Sequence, residues 1–124
     1  MRVMVFGTFD GLHPGHRSVL NEALKRGEVI AIIARDSNVE KIKGRKPRIA
    51  EAERLGSIRG HFPDIDARLG DSEDFLIPVR TLRPDLILLG YDQRLPPGVR
   101  ESDLPCTVER LPAHEPEKYK SSLL

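Results

Sequence analysis

Two histidines stand close together near the start of the chain, within residues 7–16, which read GTFDGLHPGH. His13 and His16 lie three positions apart, so a helix that begins near Pro14 places both imidazoles on one face. Two imidazoles on one face can donate hydrogen bonds to phosphate oxygens while negative charge develops there. These residue types at this spacing therefore favour a site that binds and activates a phosphate.

The residues around the histidines predict a turn from a strand into a helix. Residues 3–6 form a short apolar run, and apolar side chains recur at helical spacing over residues 15–26 before Gly27 ends the pattern. Gly7 allows a sharp turn at the strand end, and Gly15 leaves room for a triphosphate beside the first helical turn. Such a turn favours an anion, because backbone N–H groups and the helix dipole point towards it.

Two alternatives account for the same histidines without a phosphate. The first is a helix start that carries two histidines for no functional reason. The second is a zinc site, but Cys106 and His114 are distant and fit no zinc-binding spacing. The position of the whole motif after a predicted strand favours the phosphate-binding interpretation.

Composition restricts the class of protein. The chain has 124 residues, which predicts one domain over residues 1–124. Charged residues make up 31% of the chain but the net charge is only +1, which argues against a general nucleic-acid or anionic-membrane binder. The single cysteine excludes an internal disulfide. Because we find no signal peptide or transmembrane run, we expect a soluble cytoplasmic protein.

Alternating strands and helices must position the histidine motif. Nearly continuous apolar runs at residues 3–6, 29–34 and 86–89 predict buried strands, and weaker patterns at 65–69 and 106–111 predict peripheral ones. The helical patterns between them cover residues 15–26, 49–62 and 73–82. We therefore expect an α/β fold, a single Rossmann-like domain with an open five-stranded, mostly parallel sheet and helices on both faces.

Residues 7–16 resemble the signature of the cytidylyltransferase-like nucleotidyltransferases, relatives of the class I aminoacyl-tRNA synthetases in the HIGH superfamily. The resemblance extends over nearly the whole chain. It implies that His13 and His16 bind the nucleoside triphosphate and stabilise the transition state of nucleotidyl transfer. It further implies that neighbouring motif residues bind the nucleotide, namely Gly7, Thr8, Phe9, Pro14 and Gly15.

A basic segment forms the second candidate part of the site. Five cations fall within residues 41–48: Lys41, Lys43, Arg45, Lys46 and Arg48. Such a segment can close over a triphosphate as a mobile loop. A solvated basic loop and an RNA-binding patch are the alternatives, the latter weakened by the lack of nearby aromatic residues. The segment resembles the family's phosphate-binding segment, which implies a catalytic role for Lys46 and acceptor contacts for Lys43, Arg45 and Lys46.

Two further residues are candidates for contact with the acceptor. Asp10 stands at the mouth of the predicted site, where it either accepts a hydrogen bond from a loop or a substrate or caps the turn. Arg54 lies in the second long helical pattern. It is either an exposed residue or, as the resemblance implies, an arginine that helps to bind the acceptor phosphate.

Two segments point more specifically to the substrate. Residues 90–93, Gly-Tyr-Asp-Gln, follow the strongest apolar run, and residues 119–122 read Tyr-Lys-Ser-Ser. A turn-forming aspartate and a frayed polar terminus are the alternatives. Both segments resemble parts of the archaeal-type FMN adenylyltransferases, the FAD synthases. The resemblance implies that the nucleotide contacts Gly90, Asp92, Tyr119, Ser121 and Ser122.

The resemblance implies transfer of AMP from ATP to FMN, giving FAD and pyrophosphate by direct in-line attack of the FMN phosphate on the α-phosphorus. Mg²⁺ is expected with the triphosphate and bound mainly through substrate oxygens, so no metal-binding residue is named. The alternatives are a CTP-dependent cytidylyltransferase acting on a small phosphorylated alcohol such as glycerol 3-phosphate, and a nucleotide-binding module without catalysis. The resemblance also suggests a homodimer, and we expect no nucleic-acid or membrane partner.

Overall fold

A parallel sheet organises the chain in the computed structural model, which describes residues 1–71, 74–91, 93–95 and 99–112. The five strands found in these residues are β1 (Arg2–Gly7), β2 (Glu28–Ile33), β3 (Asp66–Leu69), β4 (Leu86–Leu89) and β5 (Thr107–Arg110). They lie in the order β3-β2-β1-β4-β5, and each neighbouring pair is parallel. The predicted α/β fold with an open five-stranded sheet is confirmed.

Helices connect the strands. In the described part of the chain they are α1 (Pro14–Arg26), α2 (Asp36–Lys43), α3 (Glu51–His61), α4 (Leu76–Leu82) and a 3-10 turn (Glu101–Asp103). The first helix begins at Pro14 and ends before Gly27, as its sequence pattern predicts. None of the helices in these residues has the length and apolar character needed to cross a membrane.

The last helix starts later than its pattern from residue 73, as the position of Pro78 in that pattern predicts. Helix α4 begins at Leu76, which places Pro78 in its first turn, where a missing N–H breaks no helical hydrogen bond. The Asp74 carboxylate accepts a hydrogen bond from the Leu76 N–H at 2.9 Å and so caps the helix. Proline and this aspartate together set the boundary.

Apolar side chains form separate clusters on the two sides of the sheet. Val3 and Val5 of β1 pack on the side that carries α1 and α3, whereas Met4 packs on the side that carries α4. Because β1 and β4 are covered on both faces, they read as nearly continuous apolar runs rather than alternating ones. The prediction of helices on both faces is confirmed.

The strand order reverses at β1. From β1 the chain passes through α1 to β2 on one side, and later it returns through α4 to β4 on the other side. Ligands of open parallel sheets bind in the crevice at such a reversal, outside the carboxyl ends of the strands. The turn after β1 and the turn after β4 therefore border the same crevice.

Candidate functional site

The two histidines of the motif lie against each other at the start of α1. Their ring centroids are 3.5 Å apart and the ring planes differ by 21°, so the imidazoles are stacked. His13 occupies the N-cap position, and its Nδ1 accepts a hydrogen bond from the His16 backbone N–H at 3.3 Å. The predicted common face for the two imidazoles is therefore what the fold produces.

Hydrogen bonds determine where the neutral rings carry their protons. The His16 Nδ1 lies 2.8 Å from the Gly11 carbonyl oxygen, which only accepts, so this nitrogen carries a proton. The His13 Nδ1 accepts from a backbone N–H, so the proton of its neutral ring is on Nε2. His13 can thus donate to a phosphate oxygen in its neutral form, whereas donation from the His16 Nε2 requires the imidazolium.

Two of the three glycines of the motif, Gly7 and Gly15, lie against aromatic rings. A Cβ at Gly7 would lie 2.7 Å from the Phe9 ring, which is buried and contacts His16 edge-on at a centroid distance of 5.3 Å. Gly7 is the last residue of β1, as predicted, and the left-handed backbone of the turn that follows is found at Phe9 (φ 52°) and Gly11 (φ 94°). Gly7 leaves space for the ring that supports His16.

Gly15 makes room for a histidine. A Cβ at this position would lie 2.9 Å from the His13 Cε1, closer than carbon atoms approach without displacement. The glycine therefore permits the stacked arrangement of the imidazoles. The predicted approach of a triphosphate to the same turn stays a prediction.

Asp10 joins the histidine motif to the end of the basic segment. Its two carboxylate oxygens accept hydrogen bonds from the backbone N–H groups of Arg48 and Ile49, each at 2.9 Å. The Arg48 hydrogen bond is the largest cause that lowers the pKa of this carboxyl below its ordinary value. The sequence left several roles open for Asp10, and in the structure Asp10 accepts its hydrogen bonds from a loop.

The basic segment and the motif turn enclose a cavity of about 160 Å³. Its lining includes Thr8 and Asp10 from the turn and four of the cations, which are Lys43, Arg45, Lys46 and Arg48. The Lys43 Nζ lies 3.5 Å from the Thr8 Oγ1. A site that encloses a whole small molecule is usually ~300–1,000 Å³, so this cavity suits a phosphate group rather than an entire nucleotide.

Arg54 is fully buried, and the alternative that it is exposed is wrong. Its guanidinium donates to the Ile49 carbonyl (2.9 Å), the Thr8 carbonyl (2.7 Å) and the Asp36 carboxylate (2.7 Å). All three nitrogens are therefore engaged by the protein, and the predicted direct contact with an acceptor phosphate is not made by the side chain as placed. The structure gives Arg54 a positioning role, because it links the motif turn to the end of the basic segment.

Sequence reasoning missed two residues that shape the site. Glu51 accepts a hydrogen bond from the Asp36 N–H (2.9 Å) while Asp36 accepts one from the Glu51 N–H (3.3 Å), so the starts of α2 and α3 cap each other. Gln93 bonds to the backbone at the ends of both β1 and β4. Glu51 could have been found as an acidic residue in the first turn of a helix. Gln93 could have been found as the last residue of the Gly-Tyr-Asp-Gln segment at 90–93.

Part of the predicted site falls outside the described residues. This applies to Asp92, Tyr119, Ser121 and Ser122, whose nucleotide contacts stay predictions. Gly90, the described member of this group, is buried directly after β4 and borders the crevice at the strand reversal.

The described residues contain no cluster of three histidine, cysteine, aspartate or glutamate side chains that could hold a metal ion. Asp10, the carboxylate of the motif turn, is occupied by backbone N–H groups. This donor set fits a Mg²⁺ that is carried by the phosphate oxygens of a nucleotide and by water, rather than one held in a protein cage.

Comparisons with known proteins cover most of the chain. The model of the family described as cytidylyltransferase-like matches residues 4–121. The FAD synthase of Archaeoglobus profundus is 41% identical over 98% of this chain and 81% of its own length. That of Methanosarcina mazei is 43% identical over 90% of this chain and 76% of its own length. The crystal structure of the lipopolysaccharide core biosynthesis protein from Thermoplasma volcanium GSS1 has a TM-score of 0.76 and 34% identity, covering 90% of this chain and 95% of that one.

Proposed function

Because the chain belongs to the cytidylyltransferase-like family, we propose that it transfers AMP from ATP to FMN and releases pyrophosphate. The family and the fold predicted from the sequence are both confirmed. The FAD synthase relatives support nucleotidyl transfer with FMN as the acceptor. The structural observation that carries the proposal is the stacked histidine pair at the start of α1, directly after a turn that lines a basic cavity.

The reaction is a displacement at the α-phosphorus of ATP. An oxygen of the FMN phosphate forms a bond to this phosphorus, the bond to the oxygen that bridges the α- and β-phosphates breaks, and pyrophosphate leaves with the electron pair. His13 donates from Nε2 to a phosphate oxygen, and His16 stabilises charge at the α-phosphate. The N-terminal end of α1 adds its dipole to the same task.

The basic cavity supplies the remaining positive charge. Lys46 assists at the phosphates, and Lys43 and Arg45 hold the phosphate of the acceptor beside the motif turn. Because Asp10 and Arg54 tie the end of the segment to the motif turn, these cations stay beside Thr8 and Asp10 of that turn. Gly90, Asp92, Tyr119, Ser121 and Ser122 complete the nucleotide site in this proposal.

Mg²⁺ held by the phosphate oxygens of ATP would neutralise part of their negative charge. The histidine pair and the backbone N–H groups at the start of α1 supply the protein's donors around the phosphates in this proposal. The homodimer and the cytoplasmic location stay predictions.

Pyrophosphate release from the purified protein tests the proposal. With Mg²⁺ present, ATP and CTP are each combined with FMN, glycerol 3-phosphate or phosphoethanolamine, and FAD is sought by chromatography. We expect release only with ATP and FMN, together with FAD. Release confined to a CTP combination would overturn the substrates but keep the reaction class. Nucleotide binding without release in any combination would favour the module without catalysis.

A further inference from the structure

One side chain joins the ends of β1 and β4 at the crevice. Val3 pairs with Leu86 and Met4 pairs with Ile87 in the β1–β4 register, so Phe6 and Gly90 lie beyond these pairs. The Gln93 Nε2 donates to the Phe6 carbonyl at 2.7 Å, and its Oε1 accepts from the Gly90 N–H at 3.0 Å. Gln93 therefore gives hydrogen-bond partners to two strand-end backbone groups.

A second side chain holds the same turn from the other side. Arg110, the last residue of β5, donates from Nη1 to the Gly90 carbonyl at 3.1 Å and to the Gln93 carbonyl. Its Nη2 lies 3.6 Å from the Glu101 carboxylate. The Gln93 N–H also donates to the Gly90 carbonyl at 3.1 Å, which closes the turn. Backbone groups of Gly90 and Gln93 are thus held by the side chains of Gln93 and Arg110.

We propose that Gln93 and Arg110 are positioning residues for the nucleoside part of ATP. The motif turn after β1 takes the phosphates, so the nucleoside lies against the other border of the crevice, the turn after β4. Gly90 follows β4 directly and belongs to that turn. The two positioning residues act through this turn rather than by touching the nucleotide. This inference rests on the proposed function, because that function requires a nucleotide in the crevice.

The substitution Gln93→Glu tests the first contact with little change in shape. It keeps an acceptor for the Gly90 N–H but replaces the donor to the Phe6 carbonyl with a second oxygen, so two acceptors face each other. Arg110→Met tests the second contact, and Arg110→Lys restores one charged donor. Arg100→Met is the matched control, because Arg100 is a highly exposed arginine of the same region that pairs only loosely with Asp103 (3.8 Å).

Two measurements decide the inference. Calorimetry gives Kd for ATP and for CTP, and steady-state pyrophosphate release gives KM for ATP and for FMN. We expect Gln93→Glu and Arg110→Met each to weaken ATP binding by about tenfold, because each variant removes a hydrogen bond that holds the backbone bordering the nucleoside. KM for FMN should change less than KM for ATP, Arg110→Lys should recover part of the loss, and Arg100→Met should match the wild type.

The outcomes separate the inference from the function. If the wild type releases no pyrophosphate, the proposed function fails, and the Kd values for ATP and CTP still judge the inference. Wild-type Kd in both variants, or equal increases of KM for ATP and FMN, would overturn it. If a thermal melt shows that Gln93→Glu does not fold, the Kd for ATP of Arg110→Met is compared with that of Arg110→Lys, and equal values overturn the inference. A wild type that binds neither nucleotide overturns both proposals.

Discussion

His13 caps α1 with one ring nitrogen and, in the proposed function, donates to a phosphate oxygen from the other. Its Nδ1 caps α1 by accepting from the His16 N–H, and the Nε2 of the neutral ring carries the proton that a phosphate oxygen would accept. Helix N-caps are usually serine, threonine, aspartate or asparagine, so helix stability alone does not explain a histidine here. The choice of residue points to chemistry at the cap.

Replacing His13 with Asn separates these two tasks. Asparagine is a good cap, so the free energy of unfolding should stay within about 0.5 kcal/mol of the wild type. Turnover should fall by roughly 10²-fold, because the imidazole donor is lost. His13→Ala should lose similar turnover and, in addition, about 0.5–2 kcal/mol of stability. Urea unfolding and pyrophosphate release measure the two effects. Equal stability losses would contradict the capping task, and wild-type turnover would contradict the chemical one.

Replacing His16 with Ala should lower turnover by roughly 10²–10³-fold, the usual loss when a donor that stabilises developing charge is removed. The variant also loses the hydrogen bond to the Gly11 carbonyl and the edge contact with Phe9. Circular dichroism therefore has to establish that it folds. His61→Ala, which removes an exposed histidine at the end of α3, is the control and should keep wild-type kcat. A folded His16→Ala protein with full turnover would refute the assignment.

At the scale of elements, three backbone segments meet at one buried arginine. From α3, Arg54 donates to the Thr8 carbonyl after β1, to the Ile49 carbonyl before α3 and to Asp36 at the start of α2. The basic segment covers the last residues of α2 and part of the connection to α3, and Asp10 accepts hydrogen bonds at its end from the Arg48 and Ile49 N–H groups. The segment is therefore anchored to the motif turn although its cations are exposed.

Arg54→Met should destabilise the protein strongly. Each enclosed carbonyl left without its donor costs about 1–3 kcal/mol, and the variant leaves the Thr8 and Ile49 carbonyls in that state. We expect a clear shift of the urea midpoint with an unchanged slope. Arg59→Met on the same helix removes an exposed arginine with one hydrogen bond, to the Ala67 carbonyl, and should cost far less. Equal midpoints for the two variants would contradict the anchoring role of Arg54.

At the scale of the whole molecule, the strands and helices could be predicted, because they follow local patterns of apolar residues. The contacts of single side chains could not be predicted, because they depend on which residues the fold brings together. The runs that became β1 and β4 are readable because strands covered on both faces are apolar throughout. The role of Arg54 was not readable, because its sequence position does not tell which carbonyls approach it. Gly7 and Gly15 are each required by a ring two residues away, Phe9 and His13, and the sequence does not show that these rings fold back onto the glycines.

Acid should weaken the whole fold through carboxylates that the site also uses. The pKa of Asp10 is lowered from 3.8 first by the hydrogen bond from the Arg48 backbone, and that of Asp36 first by the side-chain hydrogen bond from Arg54. A carboxyl with a lowered pKa binds fewer protons in the folded state than in the unfolded one. Its contribution to stability is therefore complete above the unfolded pKa and is lost as pH falls through the folded pKa.

The free energy of unfolding should accordingly decrease as pH falls from about 5 towards 2, and Asp10→Asn should make this decrease shallower. Asparagine keeps one acceptor oxygen for the loop but removes the group that titrates, so part of the pH dependence disappears with it. Urea unfolding at several pH values measures the slope. Asp64→Asn, which removes the same charge at an exposed position after α3, should retain the wild-type slope. If Asp10→Asn and Asp64→Asn follow the wild-type curve equally, the contact of Asp10 with the basic segment contributes nothing to acid sensitivity. A shallower slope in Asp10→Asn alone would mean that this contact between the motif turn and the basic segment also stabilises the folded chain.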